Sequence, residues 1–193
     1  TICNHQAPVR YWMHNNMITI NGKKMGKSYN NVIKLTELFS GNHPLLAKGF
    51  HPMTVRFFIL QTQYRSTLDF SNEALLAAEK GLRRLWEAYE WLQQQPAPAV
   101  AEAGDAALAE KVRTLVAVFE NDLNDDLNTA KVLAGMFELV PIINSIKDRH
   151  IAAADLGGST WSLLQQQLKL YVEDIFGLKA VSGGEDQKFK AVM

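Results

Sequence analysis

The sequence predicts a mainly α-helical protein in which a small α+β segment carries a basic loop and is followed by an antiparallel helical bundle. Apolar residues recur at helical spacing in four stretches after residue 70, whereas β-type runs lie before it. The chain of 193 residues is long enough to bury a core, and its 47% hydrophobic and 21% charged residues are ordinary for a globular protein. We therefore divide it into segment 1–70, bundle 71–179 and linker-like tail 180–193.

The segment before the bundle combines two β-type runs with two short helices. Residues 11–14 and 17–20 are rich in aromatic and β-branched side chains, which is typical of strands. Thr36 is placed to cap a short helix. His51 and Pro52 begin a second helix, because proline in the first turn gives up no helical hydrogen bond. Four of its residues share one face: Val55, Phe58, Ile59 and Thr62.

The bundle begins with the longest predicted helix, which Ser71 caps and Pro96 stops. Its apolar residues alternate in steps of three and four, the pattern of a face buried in a bundle: Leu75, Ala78, Leu82, Leu85, Tyr89 and Leu92. A second helix is expected from about Asp105 to Asn121. Its apolar face has the same spacing: Leu108, Val112, Leu115 and Phe119.

Two further helices complete the predicted bundle. Asn128 is placed to cap the third, in which Pro141 predicts a kink. Its buried stripe is Leu133, Met136, Val140 and Ile143. Ser159 is placed to cap the fourth, which Gly177 ends and Leu178 closes. Its apolar stripe is Leu164, Leu168, Tyr171 and Ile175.

A basic loop is the strongest candidate for a functional site. Five basic residues and no acidic residue precede Glu37, and three of the five, Lys23, Lys24 and Lys27, fall within five positions. Glycines within the loop allow its backbone to approach a ligand closely, and lysine ammonium groups on flexible stems suit polyphosphate. The alternative is a solvated hairpin tip whose lysines only aid solubility.

Two known motifs compete for this loop. A P-loop needs four residues between its glycines and a helix directly after them, whereas three residues separate Gly22 from Gly26 here. The stretch Lys24-Met25-Gly26-Lys27-Ser28 instead resembles the Lys-Met-Ser-Lys-Ser signature loop of class I aminoacyl-tRNA synthetases. Further stretches make the chain, from about 11 to 178, similar to the cysteinyl-tRNA synthetases: Tyr11-Trp12-Met13-His14-Asn15, Arg56-Phe57-Phe58, Tyr64-Arg65-Ser66 and Asn124-Asp125-Asp126-Leu127-Asn128-Thr129.

The resemblance implies which residues of the loop act. Lys27 would bind the β- and γ-phosphates of ATP, and Lys24 would help to hold the loop or the phosphates. Gly26 and Ser28 would complete the ATP site, although the family usually has serine at the position of Gly26. The resemblance also implies ATP as a substrate, with Mg²⁺ in the full enzyme. Contacts to tRNA are expected from basic side chains on the helices: Arg56, Arg65, Arg83 and Arg84. The alternative for Arg56 and Arg65 is that they are ordinary surface arginines.

The resemblance also names the parts of the chain. Segment 1–70 would be the end of the catalytic domain, with the signature loop and a stem-contact region, and 71–179 would be the helical tRNA-binding domain. The chain would be a C-terminal fragment of a cysteine–tRNA ligase, inactive without its N-terminal catalytic domain. The family's zinc ligands would precede this chain. The expected partners are ATP and cysteine tRNA, and the expected state is monomeric.

Several other interpretations are weaker. Cys3 and His5 do not make a four-coordinate metal site, and one cysteine excludes an internal disulfide framework. No apolar run approaches the length of a membrane span and no signal-peptide pattern is present, so a cytoplasmic protein is expected. Asp125 and Asp126 are interpreted as helix-start carboxylates. The alternative function is a non-catalytic helical module that binds RNA or protein through a basic clamp.

Overall fold

The computed structural model describes residues 9–180, and its fold is mainly α-helical with one small sheet, as the sequence predicts. The elements are β1 (Ile18–Ile20), β2 (Lys23–Lys24), α1 (Leu35–Ser40), α2 (Pro52–Leu60), β3 (Leu68–Phe70), α3 (Asn72–Gln94), α4 (Ala106–Asn124), α5 (Thr129–Lys147) and α6 (Gly157–Lys169). Short 3₁₀ turns span Lys27–Tyr29 and Ala153–Asp155, and a π-helical turn spans Leu170–Ile175. Cys3, His5 and the predicted tail after Val181 lie outside the described residues.

The sheet has the strand order β2-β1-β3. β1 pairs antiparallel with β2, and it pairs parallel with β3 in the register Ile18↔Leu68. The predicted strand at 17–20 is confirmed as β1. The predicted strand at 11–14 is wrong, because that stretch is irregular and exposes Tyr11 and Trp12 by 87% and 70%. Strand-forming side chains need a sheet surface to pack on, and these residues have none in the described part of the chain.

Two short helices precede the bundle, and the second of them, α2, packs on α3. α1 begins at Leu35, and the Glu37 carboxylate accepts a hydrogen bond from the Lys34 backbone N–H, so the expected Thr36 cap is wrong. The predicted start of α2 is confirmed, since His51 is its N-cap and His51 Nδ1 accepts a hydrogen bond from the Met53 N–H. The predicted buried face of α2 is wrong at one position, because Ile59 is exposed while Phe57 is fully buried. Phe57 packs closely on Gly81 of α3, where an added Cβ would lie 3.2 Å from its ring.

The helix α3 follows its prediction closely. Ser71 Oγ accepts a hydrogen bond from the Ala74 N–H, and all six predicted apolar positions are buried. α3 packs mainly on α2 and α5 and also touches α6, whereas α4 packs on α5 and α6. The connection between α3 and α4 is fastened to the α5–α6 connection by backbone hydrogen bonds, among them Gly104 N–H to the Ala154 carbonyl.

The buried face of α4 differs from the prediction at two of its four positions, each of which is shifted by one residue. Ala109, Val112, Val116 and Phe119 are buried, whereas Leu108 and Leu115 are only partly so. Both sets fit a helical period and share two members, so the choice depends on where α5 and α6 lie. The helix begins next to the predicted start, with Asp105 as its N-cap, and continues to Asn124 instead of ending at Asn121.

The helix α5 forms the middle of the bundle. Asn128 caps it through a hydrogen bond from the Lys131 N–H, and the predicted buried stripe is confirmed. The helix runs through Pro141 without a break, and the kink there stays a prediction. Its buried residues form one broad face, and Lys131, Ala134 and Glu138 lie on the exposed side. It is apolar enough by composition to cross a membrane, with mean hydropathy 1.3 over its best window, but half of that window is buried inside the protein, as in a core helix.

The last helix changes its winding near the end. α6 begins at Gly157, and Ser159 forms no cap, contrary to the prediction. In the π-helical turn the extra residue per turn rotates the register, so that Phe176 is buried and the predicted core residue Ile175 is 39% exposed. The predicted end is confirmed, because Gly177 has a φ of 59° and the Leu178 N–H bonds to the Val172 carbonyl.

Candidate functional site

The lysine loop grows out of a tight β-hairpin. Asn21 and Gly22 connect β1 to β2 with φ angles of 49° and 74°. Two consecutive positive φ angles are what a type I′ turn requires, and asparagine followed by glycine is the preferred pair for it. In this register Lys23 pairs with Ile20, so the basic residues begin directly after the turn. The lysine loop therefore starts from a hairpin of defined geometry.

A carboxylate on the neighbouring strand holds the tip of this hairpin. Asp69 Oδ1 accepts hydrogen bonds from the Gly22 N–H at 2.7 Å and from the Thr19 hydroxyl at 2.6 Å. Asp69 lies on β3, which is parallel to β1, so the tip is fixed by a residue 50 positions away from Thr19. Asp69 was not identified from the sequence. Its only local signal is a single acid between two apolar residues.

The side chain of Asn31 closes the signature loop itself. Its Oδ1 accepts from the Gly26 N–H at 2.9 Å, and its Nδ2 donates to the Lys24 carbonyl at 3.1 Å. Asn31 is 8% exposed, which shields both hydrogen bonds from water. The stretch between Lys24 and Gly26 is thus held at both ends by one amide, a role that no sequence pattern assigned to this residue.

The candidate lysines point away from this scaffold. Lys24 ends β2, Lys27 begins the 3₁₀ turn with Ser28 beside it, and all three are exposed. Neither Lys24 nor Lys27 pairs with a carboxylate of residues 9–180. The loop therefore presents two ammonium groups that the described part of the protein does not neutralise.

An open groove lies beside the loop. It has a volume of about 490 Å³, and two lysines and a histidine line it: Lys27, Lys34 and His43. Glu37 is the one acidic side chain among its described lining residues, and its carboxylate is bonded to a backbone N–H. The groove is therefore a basic surface continuous with the loop.

The structure separates the four arginines predicted to contact tRNA. Arg56 donates from Nε to the Phe176 carbonyl at 2.6 Å, and Arg65 forms a salt bridge with Asp126 at 2.6 Å. Arg83 and Arg84 lie on the exposed side of α3, where Arg83 stands 3.9 Å from Glu87. The four do not form one cluster with the lysine loop, and their contact with tRNA stays a prediction.

The interpretation of the two adjacent aspartates as helix-start carboxylates is wrong. α5 begins at Thr129 and has no acidic residue in its first turn. Asp125 pairs with Lys131 at 3.1 Å, and Asp126 accepts hydrogen bonds from Tyr64 and Arg65. The bond from Arg65 keeps the pKa of Asp126 below its ordinary value, whereas the bond to Asp126 raises the pKa of the Tyr64 hydroxyl.

Metal ligands do not gather in this region. Among residues 9–180, no three His, Cys, Asp or Glu side chains come together in a way that could hold a metal ion. The donor set of the described residues therefore does not fit a zinc site.

Two family models match the chain. One, described as the class I (C) catalytic domain of tRNA synthetases, matches residues 1–80 and so includes the hairpin and the lysine loop. The other, described as a DALR domain, matches residues 118–179, which span the end of α4, α5 and α6.

Curated relatives match most of the chain. The cysteine–tRNA ligase of Bacteroides thetaiotaomicron is 51% identical over 180 residues, which are 92% of this chain and 34% of that protein. That of Parabacteroides distasonis is 46% identical over 183 residues, covering 95% and 35%. That of Chlorobaculum tepidum is 40% identical over 152 residues, covering 78% and 28%. The chain thus spans about a third of the length of these relatives.

Proposed function

We propose, since the chain belongs to the cysteine–tRNA ligase family, that it forms the part of such a ligase that binds the phosphates of ATP and contacts tRNA. The complete enzyme would join cysteine to ATP as cysteinyl-adenylate, release pyrophosphate, and then transfer the cysteinyl group to the 3′ end of cysteine tRNA. The chain by itself would not catalyse this reaction. We place the activity in the cytoplasm.

One observation carries the proposal: Lys24 and Lys27 stand exposed and unneutralised by the described carboxylates, on a loop that Asn31 and Asp69 hold in place. A solvated turn needs no such anchoring, whereas a phosphate site does, because charged donors stabilise a transition state only when they are already aimed at the developing charge.

The loop would act on the first half-reaction. The carboxylate of cysteine attacks the α-phosphorus of ATP, the bond to the bridging oxygen breaks, and negative charge grows on the departing pyrophosphate. The ammonium group of Lys27 would stabilise that charge, and Lys24 would hold the phosphates or the loop. Mg²⁺ would be held chiefly by the phosphates, as is usual for this ion.

The helices would contact tRNA in the second half-reaction. Exposed arginines on α3, Arg83 and Arg84, are the proposed contacts on the bundle. Arg56 and Arg65 already bond within the protein, so any contact they make with phosphate would have to share the guanidinium. The basic groove beside Lys27 adds positive surface close to the loop.

The test is Lys27→Ala in the full-length ligase. Removing one preorganised charged donor typically lowers a rate about 10²–10³-fold. We expect this loss in the pre-steady-state rate of adenylate formation, with little change in cysteine binding, because the loop faces phosphate. Lys111→Ala removes the same charge from the exposed side of α4 and is the matched control. Adenylate formation at the parental rate in Lys27→Ala would show that the loop is a solvated turn.

A further inference from the structure

Three segments that are far apart in the sequence meet behind the hairpin. They are residues 16–18 at the start of β1, residues 63–68 between α2 and β3, and residues 126–129 between α4 and α5. The first leads into the lysine loop, and the last belongs to the helical bundle. Their meeting point is therefore a junction between the loop and the bundle.

Asp126 is the centre of this junction. Its carboxylate accepts hydrogen bonds from the Tyr64 hydroxyl at 2.6 Å, from Arg65 Nε at 2.6 Å and Nη2 at 3.2 Å, and from Gln63 Nε2 at 3.1 Å. The two bonds from Arg65 form the fork-like pair that fixes direction as well as distance. Three consecutive side chains thus converge on one carboxylate of another segment.

The backbone of the same segment holds the start of β1. The Tyr64 carbonyl accepts from the Asn16 N–H at 2.9 Å, and the Arg65 carbonyl accepts from the Asn16 side chain at 2.8 Å. One residue on, the Leu68 N–H bonds to the Met17 carbonyl, after which the parallel pairing of β1 and β3 begins. A displacement of residues 63–65 would therefore move the strand that carries the loop.

The backbone around Asp126 is shaped for this contact. Asp126 and Leu127 have φ angles of 59° and 54°, a left-handed conformation that is unfavourable for residues with a Cβ and persists only where the surroundings hold it. Thr129, the first residue of α5, adds a second tie through its hydroxyl to the Leu60 carbonyl at 2.7 Å. The connection between α4 and α5 is thus bent so that Asp126 faces residues 63–65, the segment that follows α2.

We infer that Asp126 is a positioning residue: by holding Tyr64 and Arg65, it makes the placement of the lysine loop depend on the helical bundle. The inference rests on the proposed function only where it concerns catalysis, since the bundle would bind tRNA and the loop would bind ATP. The connection between α4 and α5 would then transmit a displacement of the bundle to the phosphate-binding lysines.

The coupling can be tested on this chain without any ligand. Hydrogen exchange would be measured in Asp126→Asn at the amides of Asn16, Gly22 and Gly26, each of which is bonded within the hairpin region. Asparagine tolerates the left-handed backbone but loses the charge that holds Arg65. We expect exchange about threefold faster, the size typical of an exposed ion pair, at these amides and not at Met136 in the core of α5.

Two variants make the result specific. Asp125→Asn makes the same change one residue earlier, where the carboxylate contacts Lys131 within the bundle, and should leave the hairpin amides unchanged. Tyr64→Phe removes one donor to Asp126 and should give a smaller acceleration at the same amides. Unchanged hairpin exchange in Asp126→Asn, equal acceleration in Asp125→Asn, or equal acceleration throughout the core would each overturn the inference.

A second measurement addresses catalysis in the full-length ligase. For Asp126→Asn we expect the rate of adenylate formation to fall about tenfold with an unchanged KM for cysteine, because the lysines would be misplaced while the amino-acid site is untouched. An unchanged rate alongside faster hairpin exchange would overturn the catalytic role of the coupling. Failure of the Lys27→Ala test would instead remove the proposed function and leave the exchange result standing.

Discussion

The Nε of Arg56 donates a hydrogen bond of 2.6 Å to the carbonyl oxygen of Phe176, which joins α2 to the residue after the π-helical turn. The same guanidinium packs closely on Gly177, because a Cβ added there would lie only 3.0 Å from Arg56 Nη2. Carbonyls at the end of a helix lack partners within it. Arg56 therefore satisfies a carbonyl at the end of the last helix.

Replacing Arg56 should lower the stability of the protein, because the hydrogen bond to the Phe176 carbonyl is lost. Arg56→Ala removes a charged donor from a partly buried carbonyl, and we expect a loss of about 1–3 kcal/mol in the free energy of unfolding in urea. Arg84→Ala removes an exposed arginine from α3 and should change it by no more than about 0.5 kcal/mol. Equal effects of the two substitutions would mean that the bond to Phe176 contributes nothing to stability.

The two glycines of the loop should respond differently to serine. Gly26 has an extended backbone, with φ −172°, and a Cβ there would meet only the edge of the exposed Tyr29 ring at 3.3 Å. Gly22 has a φ of 74°. We expect Gly26→Ser to change stability by less than about 0.5 kcal/mol and Gly22→Ser to cost about 1–2 kcal/mol. Thermal unfolding of both variants checks this, and a larger cost for Gly26→Ser would contradict it.

The core of the bundle should be sensitive at Phe119. Its side chain is fully buried, and its ring meets that of Tyr171 edge to face, with centroids 5.2 Å apart. Phe119→Ala leaves a cavity and should cost about 3–5 kcal/mol. The neighbouring Val118 is 38% exposed, and Val118→Ala should cost no more than about 0.5 kcal/mol. Chemical denaturation of both variants gives the comparison, and a small loss for Phe119→Ala would place that ring outside the core.

Stability should fall in alkaline solution partly through Tyr89. Burial, followed by the hydrogen bond to Glu173 at 2.6 Å, raises the pKa of its hydroxyl above the ordinary value of 10.0. A tyrosine with a raised folded pKa contributes stability that is fully present below the unfolded pKa and is lost as the pH rises above it. Above pH 10 the free energy of unfolding should therefore decline less steeply in Tyr89→Phe, by up to about 1.4 kcal/mol per pH unit. Parallel pH profiles would contradict this assignment.

Binding of tRNA by the chain should be weak and sensitive to salt. Lysine and arginine side chains that neutralise phosphates release counterions, so the logarithm of the binding constant should fall with the logarithm of salt concentration. Arg83→Ala with Arg84→Ala should reduce that slope by about one unit for each of the two arginines that binds a phosphate. Fluorescence anisotropy with labelled tRNA at several salt concentrations measures it. Binding that is independent of salt would argue against a phosphate interface.

Elements with a single consistent pattern could be predicted from the sequence. In α3, the six apolar positions and the N-cap Ser71 all indicate the same helix, and the structure has those six residues buried and that cap in place. In α4, two overlapping apolar faces share two of their four residues, and only the location of the neighbouring helices selects Ala109 over Leu108 and Val116 over Leu115. Ile175 was misplaced because a π-helical turn follows no local pattern that the apolar spacing reveals.

The candidate loop was found because its lysines are close together in the sequence, but its supports were not. Asn31 holds the loop only once the chain has folded back so that Gly26 can bond to it. Asp69 reaches the hairpin only because β3 pairs with β1, although it is 50 positions away from Thr19 in the sequence. Asp126 was misread for the same reason, since Tyr64 and Arg65 are more than 60 residues before it. Contacts of this kind depend on tertiary structure and leave no periodic trace.

The parallel pairing of β1 with β3 has a consequence for the order of folding. The hairpin of β1 and β2 closes over two residues and can form within about 1–10 μs. Its pairing with β3, and with it the arrival of Asp69, must first close a loop of 50 residues, which slows non-local strand pairing. We therefore expect refolding helices to gain exchange protection before the amide of Gly22 does, so that the lysine loop reaches its final place last.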